Sequence, residues 1–138
     1  MKKAWWLIPV TLLLFSGPGR TAETLKAQAT KEARAWLAVV DSGRYGDSWD
    51  AAAKLFKGAV TRDGWSQAVT AARGPLGKVI SRKVSSAKFA TTLPGAPDGK
   101  YVVIQFATSF ERKEKAVETI TPMQEPDGSW KVSGYFIK

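Results

Sequence analysis

The sequence predicts an α+β fold, with N-terminal helices packed on one antiparallel sheet, and three observations predict it. Apolar residues in the first half of the folded region recur at spacings of three and four, the period of one helix face. From Lys78 onward the pattern changes to a period of two, broken by turn-forming dipeptides. The helical segments all precede the strands instead of alternating with them, which gives α+β and not βαβ. At 138 residues, 44% hydrophobic and 24% charged, the chain has the composition and length for one globular core.

The first residues read as an export signal and not as part of that core. Lys2 and Lys3 precede an apolar run from Ala4 to Phe15, and Ser16, Gly17, Pro18 and Gly19 follow it. A charged start, a short apolar stretch and a small-residue exit describe a secretory signal. The run is shorter than the roughly 20 residues that span a bilayer. The expected organisation is a signal peptide over 1–22 and a single domain over 23–138. A cut after Gly19 fits the small-residue rule better than one after Ala22, which puts Arg20 three residues before the cut. With no Cys in the chain, a lipid anchor on cysteine is excluded, and a periplasmic or secreted location is expected.

Each element has its own signal. Leu25, Ala29, Ala33, Trp36, Leu37 and Val40 share one face of a helix over Glu23 to Val40, and Asp41-Ser42-Gly43 ends it. A second helix is expected from Asp47 to Lys57, capped by Asp47 or Ser48, with Trp49, Ala52, Ala53 and Phe56 on a face. A third, from Arg62 to Arg73, carries Trp65, Ala68, Val69 and Ala72 and is closed by Gly74-Pro75. Strands follow over Lys78 to Phe89, Tyr101 to Phe110, Glu114 to Met123 and Trp130 to Ile137. The loop Pro94 to Gly99 and the hairpin signal Asp127-Gly128 separate them. Alternation puts Val102, Ile104, Phe106 and Phe110 on one side of the second strand. In the last strand it puts Trp130, Val132 and Phe136 on one side and Tyr135 and Ile137 on the other.

Composition removes much chemistry. The chain has no His and no Cys, so Ser-His-Asp, Cys-His and ordinary structural zinc sites are excluded. No metal and no cofactor is expected. Ser85-Ser86-Ala87-Lys88 matches the Ser-x-x-Lys nucleophile pattern. It falls on a strand, where residues three apart point to opposite faces, and its companion motifs are missing. Acid–base chemistry without His remains open to Asp41, Asp47, Asp50 and Asp63, with Tyr45, Tyr101 and Tyr135 as donors. Positions at helix ends and in first helical turns account for those four aspartates structurally.

Several blocks in order resemble a known family. They are Asp41-Ser42-Gly43-Arg44-Tyr45 with Ser48-Trp49, then Arg73-Gly74-Pro75-Leu76-Gly77 and Arg82. Asp98-Gly99-Lys100-Tyr101 and the ending Asp127-Gly128-Ser129-Trp130-Lys131-Val132-Ser133-Gly134-Tyr135 complete the set. Together they resemble the bacterial proteins grouped as domain of unknown function 4019. The resemblance implies the cone-shaped architecture of nuclear transport factor 2 and the cystatin-like group, with helices wrapped by a strongly bent antiparallel sheet. It brings no site residues, and that architecture hosts many functions.

The candidate ligand-binding residues are Trp49, Trp65, Trp130, Arg73 and Arg82. Large aromatics beside a few polar groups make pocket walls, and two Arg side chains can grip an anion or a carboxylate. Equally, the aromatics fill a core and the arginines pair with internal acids such as Glu118. Tyr101, Val103, Tyr135 and Ile137, with Ala107 and Val117, form an apolar second face of the sheet, which suggests a homodimer. The net charge is +9, or about +6 once Lys2, Lys3 and Arg20 are removed. No dense cluster of cations and aromatics appears, so nucleic acid is not expected as a partner. The sequence therefore points to a non-catalytic exported domain that binds a small molecule or an envelope protein. A small His-independent isomerase or dehydratase is the alternative.

Overall fold

The computed structural model describes residues 21–138; the expected export signal, up to residue 20, lies outside the described residues. Helix α1 (Ala22–Asp41) opens the fold, and the Thr21 side chain caps it by accepting from the Thr24 amide. The six residues expected on its apolar face are the ones it buries. Gly43, with φ +79°, takes the left-handed turn that releases the chain from α1.

The single helix expected over Asp47 to Lys57 is two. Helix α2 (Tyr45–Asp50) stops, Ala51 to Ala53 cross over, and α3 (Lys54–Ala59) begins again. Ala52 and Ala53 are fully buried, and the Ala53 amide donates to the Val132 carbonyl at 2.8 Å. Docking this backbone on the sheet outweighs the modest helix preference of three alanines. No side chain caps α2, and Asp47 lies within its first turn. Helix α4 (Arg62–Arg73) has the expected bounds, with Thr61 as its N-cap.

Four antiparallel strands follow in a plain meander, β1 (Val79–Ala90), β2 (Tyr101–Phe110), β3 (Lys113–Gln124) and β4 (Trp130–Ile137). The fold is α+β, with the helices on one face of an open sheet. The register skips Ile80 and Ser85 in β1 and Ser133 in β4, three bulges that bend their strands. Among the described residues no helix is long and apolar enough to cross a membrane.

The bulge at Ser133 changes which side chains meet the helices. The register jumps from Thr121↔Gly134 to Pro122↔Val132. Pro122 has no amide to give, so the ladder is interrupted there and one extra residue is absorbed. Val132 and Tyr135 consequently face the same way, toward α1 and α4. Phe136 turns outward and is 52% exposed. This overturns the expected facing of Tyr135, Ile137 and Phe136, which assumed an unbroken pleat.

Leu37, Ile104, Phe106, Ile120 and Val132 are fully buried between α1 and the sheet. Each such side chain contributes about 1.5–3 kcal/mol by leaving water. Four rings complete the packing. Trp36 lies 5.7 Å from Trp65 and 5.5 Å from Tyr135, and Phe56 lies 4.9 Å from Trp65.

Candidate functional site

Five elements bring polar side chains, four of them charged, to one end of this core. Asp41 is the last residue of α1 and Arg73 the last of α4. Arg82 comes from β1, Thr108 from β2 and Glu118 from β3. The inward positions of β2 are otherwise apolar, and Thr108 sits among them within reach of Glu118, its diagonal neighbour on β3. Arg73 Nη2 donates to Asp41 Oδ1 at 2.8 Å. Arg82 donates to Asp41 through Nη1 at 2.8 Å and Nη2 at 3.1 Å. It also reaches Glu118, through Nε at 2.7 Å and Nη2 at 3.2 Å. Thr108 Oγ1 donates to Glu118 Oε1 at 2.6 Å, and the Tyr135 hydroxyl donates to Glu118 Oε2.

The network is neutral, two guanidinium groups against two carboxylates, which suits the burial of Glu118 and Arg73 at its inner end. Burial alone pushes the Asp41 carboxyl up, but hydrogen bonds from Arg82 and Arg73 outweigh it and hold the group below its ordinary value. Burial pushes the Tyr135 phenol up, and the Glu118 charge adds to that, so Tyr135 stays a donor. Nε and Nη1 of Arg73 are buried with no hydrogen-bond partner. Its guanidinium carbon stands 5.0 Å from the centre of the Phe110 ring, whose face takes the place of an acceptor.

Both oxygens of Glu118 are occupied and the residue is fully buried. The acid beside a tyrosine is thus a glutamate, held by an arginine, a threonine and the phenol, with no lone pair turned to a substrate. Asp41 joins two arginines and does not serve as a helix cap. Asp50 is gripped by Arg62 at 3.1 and 3.2 Å, and Asp47 lies 3.9 Å from Arg44 and Arg62.

Of the five ligand-binding candidates, the fold joins Trp65, Arg73 and Arg82 around Tyr135 and leaves Trp49 and Trp130 apart. The Trp65 indole donates to Ser48 Oγ at 2.9 Å, and the Trp36 indole to the Ser48 carbonyl at 2.8 Å. Half-buried Trp49 donates to the Val60 carbonyl at 2.8 Å, and buried Trp130 to Gln28 Oε1 at 3.3 Å. Among the described residues no indole N–H is left over for a ligand.

The proposed dimer face needs correction. Tyr101 is fully buried on the outer side of β2, because the β1–β2 connection folds back over it. Its hydroxyl donates to the Pro97 carbonyl at 2.6 Å, and a Cβ at Gly99 would lie 3.5 Å from its ring. Tyr135 and Ile137 face the helices. The outer face keeps half-buried Val103 and exposed Ala107, Val117 and Phe136, set among Lys83, Gln105 and Ser86.

Two open clefts flank the charged network. One, of about 750 Å³, has Asp41, Tyr45, Arg73, Lys78, Glu111 and Arg112 on its walls. The other, of about 250 Å³, runs between α4 and β4 past Ala68, Ala72 and Ile137. Neither cleft has a signal in the sequence, since each depends on how a helix meets the sheet.

A family model described as Protein of unknown function (DUF4019) matches residues 32–135. No curated protein matches the chain.

Proposed function

The chain belongs to the DUF4019 family of proteins of unknown function, and from that premise we propose that it works as a non-catalytic binding domain of the bacterial envelope that recognises an envelope protein through its surface. One observation carries this reading. The groups that would serve an interior ligand are spent on the protein itself: four indole N–H groups, all three nitrogens of Arg82 and both oxygens of Glu118. A buried acid with both oxygens hydrogen-bonded stiffens a core and offers nothing to a reacting group.

Export is supported by Lys2, Lys3 and the apolar run to Phe15, and the lack of Cys suits an oxidising compartment. The Thr21 cap of α1 favours a cut after Gly19, because a cut after Ala22 removes the cap. Fractionation of cells expressing the full chain tests this part. Periplasmic protein with a mass that starts at Arg20 supports it, and full-length protein held in the cytosol sinks it.

The binding part is tested by titrating the mature domain with a mixture of small aromatic and carboxylate compounds while its indole N–H resonances are followed. An unmoved Trp36 signal is expected. Saturable shifts there would restore the interior carrier or the His-independent isomerase.

A further inference from the structure

Strand β4 is an edge of the sheet, and its edge is only half covered. Val117 and Lys138 exchange both backbone hydrogen bonds, at 2.9 Å each. Bonding pairs alternate along an antiparallel ladder, so with the register Thr119↔Phe136 and Thr121↔Gly134 the amides and carbonyls of Gly134, Phe136 and Lys138 point at β3. Those of Tyr135 and Ile137 point the other way. Ala53 covers the first half of this edge by bonding to Val132; Tyr135 and Ile137 have no such backbone partner among the described residues.

The uncovered half faces a slot, the cleft of about 250 Å³ between α4 and β4. Trp65, Ala68, Val69 and Ala72 form its helix wall, and Tyr135, Phe136 and Ile137 its strand wall. Ala68 and Ala72 lie one turn apart on α4 and are exposed, so the helix presents only methyl groups where a larger side chain would close the gap. The volume falls below the roughly 300–1,000 Å³ of small-molecule pockets. It suits the alternate side chains of an extended strand.

We infer that β4 and α4 form a docking slot for an extended peptide of a partner protein, which adds a strand to the sheet at Tyr135 and Ile137. The proposal deepens, and rests on, the reading of this domain as a surface-binding module. Strand addition supplies main-chain hydrogen bonds as affinity and alternate side chains as specificity. The slot walls carry no charge, so the inserted side chains are apolar and small to medium in size. Lys138 stands at the rim, its Nζ 6.0 Å from the centre of the Phe136 ring, and the whole chain is strongly basic. Acidic residues flanking the apolar ones complement that charge. The same positive charge repels a second copy of this chain from the edge.

The test uses the mature domain and a degenerate mixture of short capped peptides, with glutamate at both ends and Val, Ile, Leu or Ala at the alternate inner positions. Backbone amide shifts centred on Tyr135 and Ile137, with slowed hydrogen exchange of those two amides, are expected. Ala72→Leu, a good helix former at an exposed position, fills the slot and should weaken binding by at least about tenfold while leaving the unfolding midpoint in place. Ala71→Leu, an exposed neighbour outside the slot, serves as the control and should bind normally. Absence of shifts at millimolar peptide, or equal binding by Ala72→Leu, overturns the slot and leaves the surface-binding reading standing. Shifts at the indole of Trp36, which lies outside the slot, would overturn that reading itself. A dimer in sedimentation that Ala72→Leu dissociates would assign the slot to a second copy and overturn the peptide.

Discussion

Arg82 and Glu118 meet in a two-pronged pair, Nε to Oε1 at 2.7 Å and Nη2 to Oε2 at 3.2 Å, with the carboxylate wholly inside the protein. Through Asp41, the same guanidinium ties the end of α1 to the sheet. Removing one member of such a buried pair strands the charge of the other. Glu118→Ala is expected to destabilise the fold by about 3–5 kcal/mol, read from urea unfolding. A loss below about 1 kcal/mol would mean that water already screens the pair.

Stability should fall at both ends of the pH scale, for different residues. The folded Asp41 carboxyl lies below its ordinary 3.8, so its contribution is present above that value and disappears as pH falls through the folded one. The Tyr135 phenol lies above its ordinary 10.0, so its contribution is complete below 10.0 and is lost as pH rises beyond it. Unfolding midpoints measured across pH should stay level between. In Asp41→Asn the acid limb should shrink while the alkaline limb persists.

Ser48 serves three partners. Its hydroxyl donates to the Tyr45 carbonyl at 2.6 Å and accepts from Trp65, while its carbonyl accepts from Trp36. Ser48→Ala leaves the Trp65 indole N–H buried without an acceptor and should cost about 1–3 kcal/mol. The Trp65 indole proton resonance should move, and that of Trp36 should not.

Gly43→Ala isolates a backbone effect. A Cβ at this position meets nothing within 4 Å, so only the left-handed φ of +79° opposes it. The expected loss is about 1–2 kcal/mol, with the folded spectrum unchanged.

Ala53→Pro deletes the amide that bonds Val132 while accepting the existing φ of −63°. A buried carbonyl without its donor should cost about 1–3 kcal/mol. Light scattering during prolonged storage should rise above that of the parent protein.

The helix periods, the four strands and the inward face of β2 were legible because each depends on local spacing. The closeness of Arg73 and Arg82 was legible from chain order around the α4–β1 junction, and the pairing of Arg82 with Glu118 from the need of a buried acid for a cation. Tyr135 was not, because a single extra residue at Ser133 reverses every later side chain. Pro122 was the available warning, since a proline inside an inner strand implies an interrupted ladder. The break between α2 and α3 was hidden too, because three alanines favour helix and only the distant Val132 carbonyl draws them out of it. Tyr101 sat on the side of β2 that alternation gave it, but the loop that buries it has no periodic signal.

The bond from Ala53 to Val132 has a consequence for how the protein survives when concentrated. Cross-β growth recruits stretches of about six or seven residues from exposed edges. By closing the first half of β4, the link between α2 and α3 leaves an open stretch too short to template a fibril, flanked by Gly134 on one side and cationic Lys138 on the other. A docking edge and an aggregation seed differ here by the few residues that one amide keeps occupied.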